Sequence, residues 1–141
     1  MTPRPLLRLP VLLVLLLAAA LPVLAAPKRP IELADLFKFK RVSDPQVAPD
    51  GRHVVYVVSE VVWDENRTQS DLWLVDTATG AARALTSTPR NERSPRWSPD
   101  GRWLAFESNR GGDYQIWLLP MGGGEARQLT TLATGASGPR W

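Results

Sequence analysis

The sequence predicts an all-β chain: an incomplete β-propeller of two four-stranded blades plus the start of a third, placed after a signal peptide and a short helix. Three observations predict it. The stretch Ser98-Pro99-Asp100-Gly101-Arg102 is a hairpin turn by its chemistry, because proline presets φ, aspartate can bond its own backbone and glycine accepts a positive φ. The same turn stands earlier as Ala48-Pro49-Asp50-Gly51-Arg52. Equivalent residues are also spaced regularly: Pro45 to Pro95 and Tyr56 to Phe106 by 50, Leu72 to Ile116, Trp73 to Trp117 and Trp97 to Trp141 by 44. A period of about 40–50 residues is the length of one propeller blade.

Residues 1–25 read as a secretory signal peptide. Arg4 and Arg8 precede an unbroken apolar run from Val11 to Leu21, then Pro22 and the small residues before a cut after Ala25. That run is shorter than the roughly 20 residues a spanning helix needs. The mature protein is therefore expected in the periplasm or outside the cell, and any membrane association is expected only through the signal segment.

Residues 26–44 form the lead-in. Between Ile31 and Phe39, apolar residues alternate with Glu32, Asp35 and Lys38, acid before base, which suits a short helix with one sticky face. Such a face could cap a domain edge or dock on a partner domain, or it could be an ordinary packed terminal helix.

Residues 45–94 make the first blade repeat and 95–138 the second. The second copy offers strands at Pro95–Ser98, Arg102–Ser108, Tyr114–Leu119 and Glu125–Thr130, separated by turn-forming clusters. The first copy offers Gln46–Ala48, His53–Ser59, Asp71–Asp76 and Ala82–Thr86. The fall in spacing from 50 to 44 locates a six-residue insertion in the first copy between Tyr56 and Leu72, within the stretch Trp63 to Gln69. Residues 139–141, Pro-Arg-Trp, open a third repeat, so the chain is expected to be a piece of a longer protein. Alone, it is expected to expose an apolar blade face and to aggregate.

Tryptophans locked to the repeat, Trp73 with Trp117 and Trp97 with Trp141, are expected to pack blade against blade, with Val47 at the matching place in the first copy. Trp63 lies in the insertion and escapes that explanation. It is the tryptophan to test for binding.

Composition excludes several chemistries. There is no cysteine, hence no disulfide, thiolate nucleophile or thiolate metal site. Without the leader, 15 basic residues face 14 acidic ones, which predicts no attraction to nucleic acid. The sole histidine, His53, aligns with Trp103 across the repeat and reads as a strand side chain rather than a catalytic base. Asp50 and Asp100 read as turn residues rather than metal ligands. Gly122-Gly123-Gly124 opens a strand instead of a helix, so it is no phosphate loop. Gly135-Ala136-Ser137-Gly138 lacks the spacing of a nucleophile elbow. Asn66-Arg67-Thr68 matches a glycosylation acceptor only as a short chance pattern. No residue is assigned to catalysis, cofactor binding or metal binding, and no cofactor is expected.

Three stretches together carry a resemblance: Leu33-Ala34-Asp35-Leu36 leading into Val42 to Arg52; Trp97-Ser98-Pro99-Asp100-Gly101-Arg102-Trp103-Leu104-Ala105-Phe106; and Gly124-Glu125-Ala126-Arg127-Gln128-Leu129-Thr130. Residues 31 to 141 are similar to the amino-terminal part of a secreted peptidase of the prolyl oligopeptidase family, in its acylaminoacyl-peptidase and dipeptidyl-peptidase-like branch. Ala48 departs from the serine usual at that turn.

The resemblance implies a propeller set over a carboxy-terminal α/β-hydrolase domain of the same polypeptide, gating the entry of short peptide substrates. The serine, aspartate and histidine of such a domain would lie downstream and match nothing here, so this chain alone is expected to be inactive. Similar repeats occur in TolB-like periplasmic propellers that bind protein partners without catalysis. Those place a separate α/β domain before the blades, whereas here only a short helical stretch does, which favours the peptidase.

Overall fold

Each Pro-Asp-Gly turn closes a hairpin, and each hairpin grows into a four-stranded antiparallel sheet. The structure, a computed structural model, describes residues 29–141, so the expected signal peptide, residues 1–25, lies outside the described residues. From Glu32 onward the chain forms one unit. It begins with one helical turn, α1 (Leu33–Leu36), followed by β1 (Arg41–Val47), β2 (His53–Val62), β3 (Arg67–Asp76) and β4 (Ala82–Ala84) in one sheet. The second sheet holds β5 (Glu92–Trp97), β6 (Trp103–Ser108), β7 (Gln115–Pro120) and β8 (Arg127–Gln128). In both, spatial order follows chain order, as in blades of a propeller. Among the described residues no helix is long and apolar enough to cross a membrane.

The strands differ from the sequence expectation at their ends, each time for a visible reason. β1 and β5 start earlier than expected because each pairs on past a bulge, between Ser43 and Gln46 in one sheet and Arg93 and Arg96 in the other. At each bulge a residue with positive φ precedes proline: Asp44 at 47° and Ser94 at 55°. Gly138, at 66° before Pro139, repeats the conformation a third time. Glycine meets no steric penalty there, whereas an L side chain does.

The insertion does not form a loose loop. It lengthens β2 and β3, which stay in register to Val62↔Arg67, and a short 3₁₀ turn (Trp63–Glu65) closes the hairpin with Asn66 in a left-handed conformation at φ 46°.

β4 and β8, in contrast, stop before the expected Leu-Thr pairs. There a side chain takes over from the ladder. Thr86 Oγ1 accepts the Leu72 amide at 2.9 Å, while the amide of Leu85 donates to the Leu72 carbonyl at 2.7 Å. Thr130 Oγ1 and the Leu129 amide do the same to Ile116, at 2.9 and 2.8 Å. The threonine hydroxyl donates onward to Asp71 in the first blade and to Gln115 in the second. The backbone groups are therefore satisfied without more strand.

Side chains alternate along each strand, so each sheet has two faces. Val55 and Val57 of β2 stand opposite Leu74 and Leu72 of β3 and meet Leu104, Phe106 and Leu119 of the second sheet in one buried core. Trp97, Trp117 and Met121 pack on its margin, which bears out the blade-to-blade reading for two of the repeat-locked tryptophans. Fully buried Leu72 and Phe106 each contribute about 1.5–3 kcal/mol by leaving water. The opposite face of the second blade, Ala105, Ile116 and Leu118, packs against Ala136 of the segment that follows. By the repeat offsets these three correspond to Val55, Leu72 and Leu74. The forward face of each blade is thus covered by the chain that comes next.

Candidate functional site

The residues singled out in the sequence fall into two places. The first is a cleft of about 510 Å³ between the two Pro-Asp-Gly turns, lined among others by Pro49, Asp50, His53, Trp97, Asp100 and Arg102. The turns need their glycines: Gly51 and Gly101 have φ of 68° and 69°. Each aspartate accepts a backbone N–H two residues on, Arg52 N to Asp50 at 2.8 Å and Arg102 N to Asp100 at 3.1 Å.

The two turns differ in the one hydroxyl. Ser98 Oγ donates to Asp100 at 2.6 Å and accepts the Trp103 amide at 2.9 Å. That hydroxyl, together with the backbone and side chain of Arg102, holds the Asp100 carboxyl down at about 2. Ala48 has no hydroxyl. There the ring of His53 takes up the carboxylate, with Nδ1 3.0 Å from Asp50 Oδ2. Asp50 is lowered by the Arg52 N–H first and by His53 second.

His53 opens β2, and its other ring nitrogen lies 4.0 Å from Asp76 Oδ2. Asp76 is itself a turn carboxylate, lowered by the N–H groups of Thr79 and Ala78. Sequence reasoning placed His53 on a strand and Asp50 in the turn without joining them, and it missed Asp76, 23 positions away in sequence. An imidazole between two turn carboxylates has an acid on each side and no hydroxyl nucleophile bonded to it among the described residues. This arrangement braces two hairpins and lacks the nucleophile–base pair of acyl transfer. Among the described residues no group of three or more histidine, aspartate or glutamate side chains is arranged to hold a metal ion. Gly122-Gly123-Gly124 lies in the β7–β8 connection, and Asn66 at the tip of the β2–β3 hairpin.

The second place is a groove of about 820 Å³ between α1 and the tip of the long hairpin, lined by Leu33, Ala34, Phe37, Lys38, Val61 and Trp63 with Glu60 at its side. Trp63 is 67% exposed, and its ring sits 4.6 Å from that of Phe37 at an angle of 60°. Leu33 and Leu36 stay exposed, so the apolar face of the lead-in helix is not packed into either blade. The volume is that of a small-molecule or side-chain site, with mostly apolar walls and two charges at the rim. Trp63 could be found in the sequence because it breaks the repeat. Phe37 could not, because its partner is 26 positions away.

Comparison with known proteins gives these arrangements a context. Residues 33–141 match the TolB beta propeller domain family, PD40. Over 86 residues the chain is 42% identical to an uncharacterized peptidase, YuxL, of Bacillus subtilis, covering 61% of this chain and 13% of that one. Over 76 residues it is 37% identical to dipeptidyl-peptidase 5 of Porphyromonas gingivalis, covering 54% of this chain and 11% of that one. Among solved structures, an acylaminoacyl peptidase from Pyrococcus horikoshii superposes with a TM-score of 0.57 at 24% identity, over 67% of this chain and 14% of the other. That last likeness shows the fold alone. The chain thus spans only a small fraction of the length of the relatives it matches.

Proposed function

This chain belongs to the TolB beta propeller domain family, and on that premise we propose that it is the amino-terminal propeller part of an exported serine-type peptidase. In this reading the blades gate the access of short peptides to a downstream α/β-hydrolase domain, and the leader of residues 1–25 directs the protein to the periplasm or beyond. One observation carries the proposal: two proteins named as peptidases match the blades at 42% and 37% identity, while the matched part fills only 13% and 11% of their length. Such a protein has room for a catalytic domain beside the blades. Among the described residues the histidine is bonded to carboxylates and to no hydroxyl, so in this reading the propeller contributes to hydrolysis by shape and by binding.

The test is direct. The complete reading frame, expressed with its leader, is expected to hydrolyse short peptide nitroanilides and to lose that turnover to a serine-directed inhibitor, whereas residues 26–141 alone are inactive. Amino-terminal sequencing of the exported protein is expected to begin at Ala26. Turnover by residues 26–141 that the same inhibitor abolishes would overturn the assignment of catalysis to another domain.

A second reading is a non-catalytic propeller that binds protein partners. The family description itself favours it, as does the open groove beside Trp63. A complete reading frame that shows no peptide hydrolysis but retains a partner, lost on Trp63→Ala, would decide for this reading.

A further inference from the structure

Three buried side-chain polar atoms have no hydrogen-bond partner among the described residues: Asn91 Oδ1, Glu92 Oε2 and Trp117 Nε1. Glu92 is fully buried. All its bonds fall on one oxygen: Oε1 accepts from Thr88 Oγ1 at 2.8 Å, Ser108 Oγ at 2.9 Å and Arg110 Nη2 at 3.0 Å. Oε2 accepts nothing.

The topology brings two of these atoms, Glu92 Oε2 and Trp117 Nε1, to one face of the second sheet. Glu92 stands across from Ser108, and Ser108 across from Gln115. By alternation Glu92, Ser108, Phe106 and Trp117 share the face turned toward the first blade. Arg110 joins them, pairing with Glu92 while its guanidinium carbon lies 4.5 Å above the Trp117 ring. Asn91 precedes Glu92 in the chain, and by alternation it belongs to the opposite face. Its amide donates to Asn109 Oδ1 at 2.9 Å, and Asn109 adjoins Arg110.

One donor and one acceptor left unpaired on the same face match a single bridging water molecule, since buried waters typically make about two to four bonds to groups otherwise left unpaired. Charge decides against an ion. Glu92 and Arg110 already neutralise one another, so a cation would leave a buried positive charge and an anion would face the carboxylate. We propose that one internal water molecule is bound here, accepting the Trp117 Nε1 hydrogen and donating to Glu92 Oε2. It completes a polar seam between the blades, in which Gln69 Nε2 donates to the Thr88 carbonyl at 2.9 Å and Thr88 Oγ1 donates to Glu92. Burial also lifts the Glu92 carboxyl above its ordinary value despite Thr88, Ser108 and Arg110, in keeping with one oxygen poorly solvated by the chain.

The experiment is water–protein cross-relaxation NMR on the full chain, read at the tryptophan indole protons. The expected result is a cross-peak between a resident water and the Trp117 indole proton. It should be lost in Glu92→Leu, and also in the near-isosteric Glu92→Met should the leucine variant fail to fold. The Trp97 indole, bonded to the Gln46 carbonyl at 3.1 Å, is the internal control expected to show none. Absence of the water cross-peak at Trp117 in the unmodified chain overturns the proposal. That result would mean that the indole pairs directly with a protein oxygen. Persistence of the peak in both variants overturns it equally.

Discussion

Trp97 donates its indole hydrogen to the backbone carbonyl of Gln46 at 3.1 Å, and Trp141 repeats the bond to Arg96 at 3.0 Å. Each joins the inner strand of one repeat to the inner strand before it. The spacing makes the two bonds equivalent, so the start of the third repeat is bonded to its predecessor just as the second repeat is to the first. The variant Trp97→Phe keeps an aromatic ring and removes the bond to the Gln46 carbonyl. It is expected to cost about 0.5–1.5 kcal/mol in urea unfolding. Trp141→Phe, at a position 55% exposed, should cost less because water can replace the donor.

The two Pro-Asp-Gly turns offer an exchange experiment. Ser98→Ala removes the first of the bonds that hold Asp100 at about 2, so its carboxyl should titrate nearer the ordinary value of 3.8, as followed by side-chain carboxyl NMR. The reciprocal Ala48→Ser supplies the missing hydroxyl and is expected to stabilise the first turn by about 0.5–1 kcal/mol. An unchanged Asp100 titration in Ser98→Ala would show that Arg102 alone sets its acidity.

Glu107 ties the third repeat to the second blade. Its side chain, 4% exposed, accepts Arg93 Nε at 2.7 Å and the Gly138 amide at 2.8 Å. Burial pushes its carboxyl up, but the Gly138 N–H and then Arg93 and Ser94 outweigh that and leave it below 4.5. A lowered carboxyl contributes stability above its unfolded value and loses it as pH falls through the folded one. Acidification below that point is therefore expected to release residues 138–141 first, seen as faster hydrogen exchange at the Gly138 amide and the Trp141 indole. Glu107→Gln should show that fast exchange at neutral pH.

Glu92 has the opposite sign. Its carboxyl is raised, so the folded state holds the proton more tightly than the unfolded chain, and stability declines as pH rises from the ordinary value of 4.5 through the folded one. Denaturant titrations across this range should show that decline in the unmodified chain. The non-titrating Glu92→Gln variant should lack it.

Trp63→Ala removes the stacking of the hairpin tip on Phe37. An aromatic pair is worth about 0.5–1.5 kcal/mol beyond its buried area, so the loss should be small and should appear mainly as faster exchange in α1. A large fall in global stability would instead place Trp63 in the structural core.

Much of the architecture could be read from residues alone, because it rests on chemistry that acts locally and recurs in each copy. Proline, aspartate and glycine bend the chain at Asp50 and Asp100 whatever surrounds them, and the recurring tryptophans mark blade contacts through their spacing. The insertion and its one unpaired tryptophan were visible for the same reason: they break the period. Other features depend on partners that do not recur. Asp44 accepts Arg96 from the next blade at 2.9 Å, whereas the matching positions in the following repeat are Ser94 and Arg140. Glu92 is buried with Arg110 where the first copy has Val42. Strand ends were decided by threonine hydroxyls reaching back 14 positions, and the setting of His53 by Ala48, which left Asp50 free to bond a ring. The sequence by itself determined the repeat, its turns and its apolar alternation, since these follow from each residue and its near neighbours. Only the tertiary structure decided which polar groups meet between blades, because a hydrogen bond depends on distances that no local preference sets.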